Sequence, residues 1–373
     1  MIRISKILLG IYLLFLTSCI DFFRPELGEI SPKYVVDGYI TDQEGFQTIY
    51  VSTTSTLEKT KYNPLPYCKV KIIDDQGNIF NTKEDVHGIY TVWMGKEYLV
   101  PGRSYKVDVT TASGIEMSSD FEKMPGKTNI DSIYYVRKDF PTSNPNITIQ
   151  VIQFYVDLSK KDANSQYFKW DVIETWEHHS VYPITWYAEG TKYYFPPNYS
   201  LFTCWTTQMV KDIFTLSTEK ITGSTYKMKS LQLVDNQTQK LTFGYSALFN
   251  QYSISKAAYE FWENARKVCD DQGGLYSSQP VKITGNIKCI SDPSLEVLGF
   301  FGASTVTSKR IFVRNVENFK VFEPICNPPY LPLPFNEFEY MIEIGGVKYV
   351  IDEPCVECNY YDGTTNKPSF WPW

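Results

Sequence analysis

Between residues 34 and 121, apolar and polar positions alternate with the period of a strand, in short runs separated by turn chemistry. Val35-Val36-Asp37-Gly38-Tyr39-Ile40 and the run 48–52 flank Asp42-Gln43-Glu44-Gly45, and the run 70–73 enters Asp74-Asp75-Gln76-Gly77-Asn78. Runs 88–93 and 105–110 follow, and Ala112-Ser113-Gly114 turns the chain into 115–121. Strands with one apolar face must bury it, so this density of short strands predicts a sandwich of immunoglobulin or transthyretin type. Its expected core is Val35, Ile49, Val51, Ile72, Tyr90, Val107 and Val109.

Pro125, Pro141 and Pro145 mark a boundary zone, placed near residue 126, although 130–136 between them reads as a strand that could cross between the two parts. Beyond it the segments 147–158, 166–176, 227–234, 281–287, 295–304 and 311–316 have strand composition. One segment changes period. From Ser255, a plausible N-cap, the residues Ala258, Phe261, Trp262, Ala265, Val268 and Cys269 recur at helical spacing, Glu263 and Lys267 stand four apart, and Gly273-Gly274 can end the helix. Trp262 and Phe261 are expected to face the core. The predicted fold is therefore mainly β: an N-terminal immunoglobulin/transthyretin-like β-sandwich over 33–125, followed by a larger β-rich domain over 126–373 with one amphipathic helix.

Residues 1–18 follow a different rule. Arg3 and Lys6 precede an apolar run, 7–16, too short to span a bilayer and laid out like a signal peptide. The run ends in Leu16-Thr17-Ser18-Cys19, a bacterial lipobox, so Cys19 is expected to carry lipid and anchor the chain through a tether over 19–32. The alternative is an ordinary secretory signal with a chance cysteine. The chain has 36 basic and 42 acidic residues; loss of Arg3 and Lys6 with the signal leaves 34 against 42, formally -8, with no basic block. That charge argues against nucleic acid as a partner and against adhesion of the folded part to anionic lipid.

Candidate chemistry is sparse. The three histidines are His87, His178 and His179; the adjacent pair would point to opposite faces of a strand, so no metal site is expected from them. Neither a Gly-x-Ser-x-Gly elbow nor a His-Glu-x-x-His helix is present, and no cofactor is implied. Asp171, Glu174 and Glu177 could supply the two carboxylates of a glycoside hydrolase, or form a solvated strand face. With Cys19 acylated, Cys68, Cys204, Cys269, Cys289, Cys326, Cys355 and Cys358 leave an odd number of thiols. Disulfides linking the Cys355/Cys358 pair to Cys289 or Cys326 are expected, with connectivity open. The strongest local bias is aromatic. Residues 167–205 carry 13 aromatic side chains, and the stretch 182–199 also contains Pro183, Gly190, Pro196 and Pro197, as a long loop or irregular hairpin would. Trp186, Tyr187, Tyr193, Tyr194 and Phe195 are the candidate contact surface for a ligand or partner, the alternative being a loop folded back over a sheet.

A family resemblance rests on residues across the chain. The Cys19-Ile20-Asp21 start, Val35-Val36-Asp37-Gly38-Tyr39-Ile40, Gly88-Ile89-Tyr90, Pro101-Gly102-Arg103-Ser104-Tyr105 and Asp131-Ser132-Ile133-Tyr134 resemble the DUF4249 family of Bacteroidota lipoproteins. So do Tyr252-Ser253-Ile254-Ser255, Tyr259-Glu260-Phe261-Trp262, Gln279-Pro280, Gly285-Asn286-Ile287, Val297-Leu298-Gly299-Phe300-Phe301, Arg310-Ile311-Phe312, and the ending from Cys355-Val356-Glu357-Cys358 to Lys367-Pro368-Ser369-Phe370-Trp371. The resemblance implies an outer-membrane lipoprotein, often encoded beside a TonB-dependent transporter, with a β-rich fold and no established activity. The expectation is a non-enzymatic lipoprotein at the cell surface, with the periplasmic face as the alternative. It would act in nutrient uptake as a ligand-capture protein or transporter partner. A structural or adhesive envelope component, or a carboxylate-dependent hydrolase, are the competing readings.

Overall fold

The computed structural model describes residues 32–55, 61–144, 148–159, 165–184, 186–189, 192–194, 199–223, 225–270, 283–322, 326, 340–345, 347–350 and 353–373. The lipidation candidate Cys19 and the signal segment lie outside them. The chain is mainly β, with one longer helix, Lys256–Asp270.

The backbone of the molecule is one long sheet. Across it run Thr203–Met209, Tyr167–His179, Gly244–Ile254, Phe301–Val313, Tyr34–Thr41, Gly45–Thr53, Ile89–Met94 and Lys83–Val86. A second sheet, Ile287–Cys289, Glu116–Ser119, Ser104–Thr110, Lys69–Asp74 and Ile79–Asn81, packs against its sandwich end. A third, Ile130–Pro141, Thr148–Ser159 and Thr225–Asp235, packs against its other end, and a small fourth sheet pairs Trp186–Glu189 and Lys192–Tyr194 with Tyr340–Ile344 and Val347–Val350.

The sandwich core contains Ile49, Val51, Ile72, Tyr90, Val107 and Val109 as expected, but Val35 is only half buried and Val36 takes its place. On the strand Tyr34–Thr41 the inward positions are Val36, Gly38 and Ile40, which turns Val35, Asp37 and Tyr39 to the other face. Two adjacent valines leave the parity ambiguous in sequence, and the partner sheet decides it.

The same core also holds Ile287, Cys289, Val297, Phe301 and Ala303, from chain far beyond residue 126. Ile287–Cys289 adds a strand beside Glu116–Ser119. The strand Phe301–Val313 pairs parallel with Tyr34–Thr41 through Gly38↔Phe301 to Thr41↔Ser304, then antiparallel with Gly244–Ile254 through Tyr245↔Val313 to Ser253↔Thr305. One strand thus serves both halves. Glycines make the seam possible. A Cβ on Gly299, whose φ is +97°, would lie 2.0 Å from the Val36 carbonyl oxygen, and one on Gly285 would lie 1.7 Å from that of Gly299. Asn286 completes it as a backbone mimic, donating from Nδ2 to the Phe301 carbonyl at 2.8 Å and accepting from the Phe301 N–H at 2.9 Å.

The helix is capped as its sequence suggests, the Ala258 N–H donating to Ser255 Oγ at 3.0 Å. Its burial is shallower than the periodicity predicts. Ala258 is the buried residue of the helix, while Phe261 and Trp262 are half buried, so Trp262 is a surface clamp and not a core anchor. Lys267 does not pair with Glu263; Arg266 instead bridges Glu263 and Asp270.

Candidate functional site around the helix

The helix lies on the outward face of the long sheet, and residues from three separated sequence motifs meet beneath it. Tyr39 reaches across the sheet with its ring over Gly302, where a Cβ would come within 2.4 Å of it. Its hydroxyl accepts a hydrogen bond from the Trp262 indole N–H. The Trp262 ring in turn lies 4.6 Å from the Lys169 ammonium, which also sits 5.4 Å from the Tyr252 ring and is ion-paired with Asp171. Phe261 packs on Phe300 at 5.1 Å. Burial pushes the hydroxyls of Tyr39 and Tyr252 well above the ordinary phenol range.

Asp37 lies on the same face as Tyr39. Burial raises its carboxyl to about 6, with Lys169 and the Gly38 N–H opposing the shift. A carboxyl that binds its proton more tightly when folded weakens the fold where it is ionised. The contribution of Asp37 to stability should therefore rise as pH falls from above 6 to about 4 and level off once the unfolded chain also protonates. Asp37→Asn is expected to raise stability by about 2–3 kcal/mol at pH 7.5, with the gain gone near pH 4. Urea titrations at the two pH values measure it, and an equal difference at both would remove Asp37 as the source.

The other flank of the helix walls an open groove of about 670 Å³, closed opposite by Phe214–Ser217 and part of Thr225–Asp235. Glu263, Arg266 and Asp270 line one wall and Lys211, Asp212 and Lys229 the other. Glu263 accepts from Thr215 Oγ1 at 2.7 Å and holds Arg266, which lowers its carboxyl below the usual range. Lys229 has no ion-pair partner among the described residues. Burial first, and the Arg266 charge second, push its ammonium below the usual range, with the Glu263 charge opposing them.

The acids singled out in sequence do not form a catalytic pair. Asp171 and Glu177 share one face of Tyr167–His179 but stand six residues apart, about 20 Å, while Glu174 points to the opposite face. Nor is Glu174 solvated: it is 1% exposed and accepts from Gln208 Nε2, Lys240 Nζ and Gln232 Nε2 at 2.6 Å each, and from the Tyr245 hydroxyl at 2.9 Å. Glu177 accepts from the Trp371 indole at 3.1 Å and pairs with His179. His178 and His179 diverge as expected; His178 bonds Thr206 Oγ1, and His179 stacks on Phe243 with ring centroids 3.7 Å apart. Among the described residues no cluster of His, Cys, Asp and Glu could hold a metal ion.

The disulfides are Cys326–Cys355 and Cys204–Cys358. The first is one of the expected pairings. The second corrects the expectation, because Cys289 is a buried free thiol of the sandwich core and Cys204 takes the role. Two cysteines three apart bind different partners, and sequence spacing gave no sign which. Cys68 and Cys269 are also free. Of the two expectations for the aromatic stretch, the described residues form the hairpin: Trp186 and Tyr187 pair with Met341 and Tyr340, and Tyr187 with Tyr194. Trp186, Tyr187, Tyr193 and Tyr194 are strand positions there; Phe195 lies outside the described residues.

The architecture defines a β-rich protein in which two layered halves share one continuous sheet, with a helix lying over the junction. The chain belongs to the family described as "Domain of unknown function (DUF4249)", whose model matches residues 20–310. The match includes the motifs that converge beneath the helix and ends before the Cys355 to Trp371 segment. No curated protein matches the chain. Among solved structures, Escherichia coli alpha-2-macroglobulin activated by porcine elastase is similar at 10% identity and a TM-score of 0.19, over 61% of this chain and 19% of that one. The chain thus spans less than a fifth of that protein.

Proposed function

We propose that this protein is a non-enzymatic outer-membrane lipoprotein, anchored at the cell surface through acylated Cys19, which captures a nutrient ligand and serves as an accessory partner of a TonB-dependent transporter. The lipobox and the family resemblance support the location and the partner. The observation that carries ligand capture is the groove beside the helix, open over about 670 Å³ and containing Lys229, which makes no ion pair among the described residues because the nearby Glu263 carboxylate is held by Arg266. An unpaired cation held partly out of water is relieved by a bound anion, so the captured ligand carries a carboxylate or phosphate. The separation of Asp171 from Glu177 and the full hydrogen bonding of Glu174 weigh against the hydrolase reading.

Native mass spectrometry of the acylated protein, purified from its own membranes, tests this. The expected result is an anionic adduct on the wild type that is lost from Lys229→Ala, and co-purification of a β-barrel transporter that is lost when Cys19→Ala releases the protein from the membrane. An adduct that Lys229→Ala retains would move the ligand elsewhere, and no adduct on the wild type would remove the capture role.

A further inference from the structure

The groove beside the helix runs along a free strand edge. An unbroken run of residues, 211–217, lines it. Because the side chains of a strand alternate between its two faces, such a run means that Phe214–Ser217 turns its backbone edge to the groove. Among the described residues that strand pairs with Tyr167–His179 alone, and Thr225–Asp235, across the groove, is likewise the end strand of its sheet. The ladder fixes which backbone groups are left over. The Thr218 N–H donates to the Gln166 carbonyl at 2.8 Å, so by antiparallel alternation the N–H and C=O of Phe214 and Leu216 also point to Tyr167–His179, and those of Thr215 and Ser217 point away from it. On that side no backbone group pairs with Thr215 or Ser217 among the described residues.

We propose that the groove takes an extended acidic oligopeptide, which adds to Phe214–Ser217 as a further strand. This deepens the capture role proposed above and rests on the same groove and the same lysine. Along a strand edge the free N–H and C=O pairs recur every second residue, about 7 Å, which is the repeat of an extended peptide and one that a small anion does not offer. Phe214–Ser217 spans about 13 Å, the length of a strand of about four residues. The added strand would alternate its side chains between two unlike walls. On the helix side the Thr215 hydroxyl is bonded to Glu263, with Tyr259 and Arg266 beside it. On the other side Phe214 and Leu216 pack into the core with Leu231. The fitting peptide therefore carries an apolar side chain at every second position and polar ones between, with a carboxylate for Lys229. Main-chain bonds along the edge supply affinity, and the two walls with the lysine supply the selection.

The test mixes the full acylated protein in detergent with casein peptides produced by a glutamate-specific protease, and identifies those that co-elute with it by mass spectrometry. The expected result is retention of a subset with alternating apolar positions, weakened roughly tenfold or more in Lys229→Ala. The peptide retained most strongly is then resynthesised in two forms, N-methylated at alternate amides in one register or the other. A methyl group facing the strand edge removes a donor and blocks the approach, so at least one form should bind roughly tenfold or more weakly than the parent. The parent peptide should also slow amide hydrogen exchange across 213–218. Methylation changes the peptide and not the protein, so this arm is independent of whether any variant folds. The inference is overturned if the pool yields no bound peptide, if both methylated forms bind as the parent does, or if Lys229→Ala retains the peptides unchanged. In the first case an anionic adduct of the native protein that Lys229→Ala loses would leave capture of a small anion standing, so the two readings fail separately.

Discussion

Replacing Cys204 and Cys358 with Ser is expected to destabilise the protein by about 4–5 kcal/mol. The bond closes a segment of 154 residues, and in the chain-entropy account a loop of that size is among the most effective at restricting the unfolded ensemble. It also fixes the C-terminal segment to the sheet. Trp205 and Thr364 exchange backbone hydrogen bonds at 2.8 and 3.0 Å next to it, and Trp371 then lies on Glu177. Denaturant titration of the double Cys→Ser variant against the oxidised wild type measures the loss. A cost below about 1 kcal/mol would mean that the C-terminal segment holds without the link. Cys326–Cys355, which closes only 29 residues, should contribute less by the same account.

The second large effect is expected at Glu174. Its two oxygens take donors from Gln208, Gln232, Lys240 and Tyr245, which come from three further strands and a short turn between sheets. Removal of the carboxylate in Glu174→Ala leaves a partly buried ammonium and two amides without their acceptor, the Tyr245 hydroxyl keeping Gln232 Oε1 at 3.1 Å. The expected cost is about 3–5 kcal/mol, with Glu174→Gln nearer 1–3 kcal/mol because one oxygen remains. The Lys240 ammonium also sits 5.0 Å from the Trp176 ring, so Lys240→Met should recover part of the loss in the double variant, as coupled partners do. Urea midpoints of the four proteins decide it; strictly additive effects would show that the carboxylate and the lysine act independently.

Much of the local structure was legible in the residues. Alternation marked the strands of both halves because a half-buried strand exposes every second side chain, and the Ser255 cap with helical spacing marked the helix because those signals act within one turn. The family motifs were also visible as strings, but what they do was not. Asp37 and Tyr39 come together with Tyr252 and Trp262 only because Phe301–Val313 carries one sheet through both halves, and the reason for Gly285 and Gly299 is a backbone contact between segments that are distant in sequence. Similarly, the 13 aromatics of 167–205 are conspicuous in the sequence, whereas the exposed rings on the sandwich face come from two strands, each with an ordinary composition.

By itself the sequence determined the class of structure and the position of the turns and helix, because each depends on neighbours along the chain. Tertiary structure alone decided which valine of Val35-Val36 is buried, which cysteines pair, that Glu174 is a locked internal carboxylate, and that residues beyond 285 complete the N-terminal core. Each of those outcomes is set by what lies across a sheet or a core from the residue, and the identity of that neighbour is fixed by strand order and register, which local pattern does not encode.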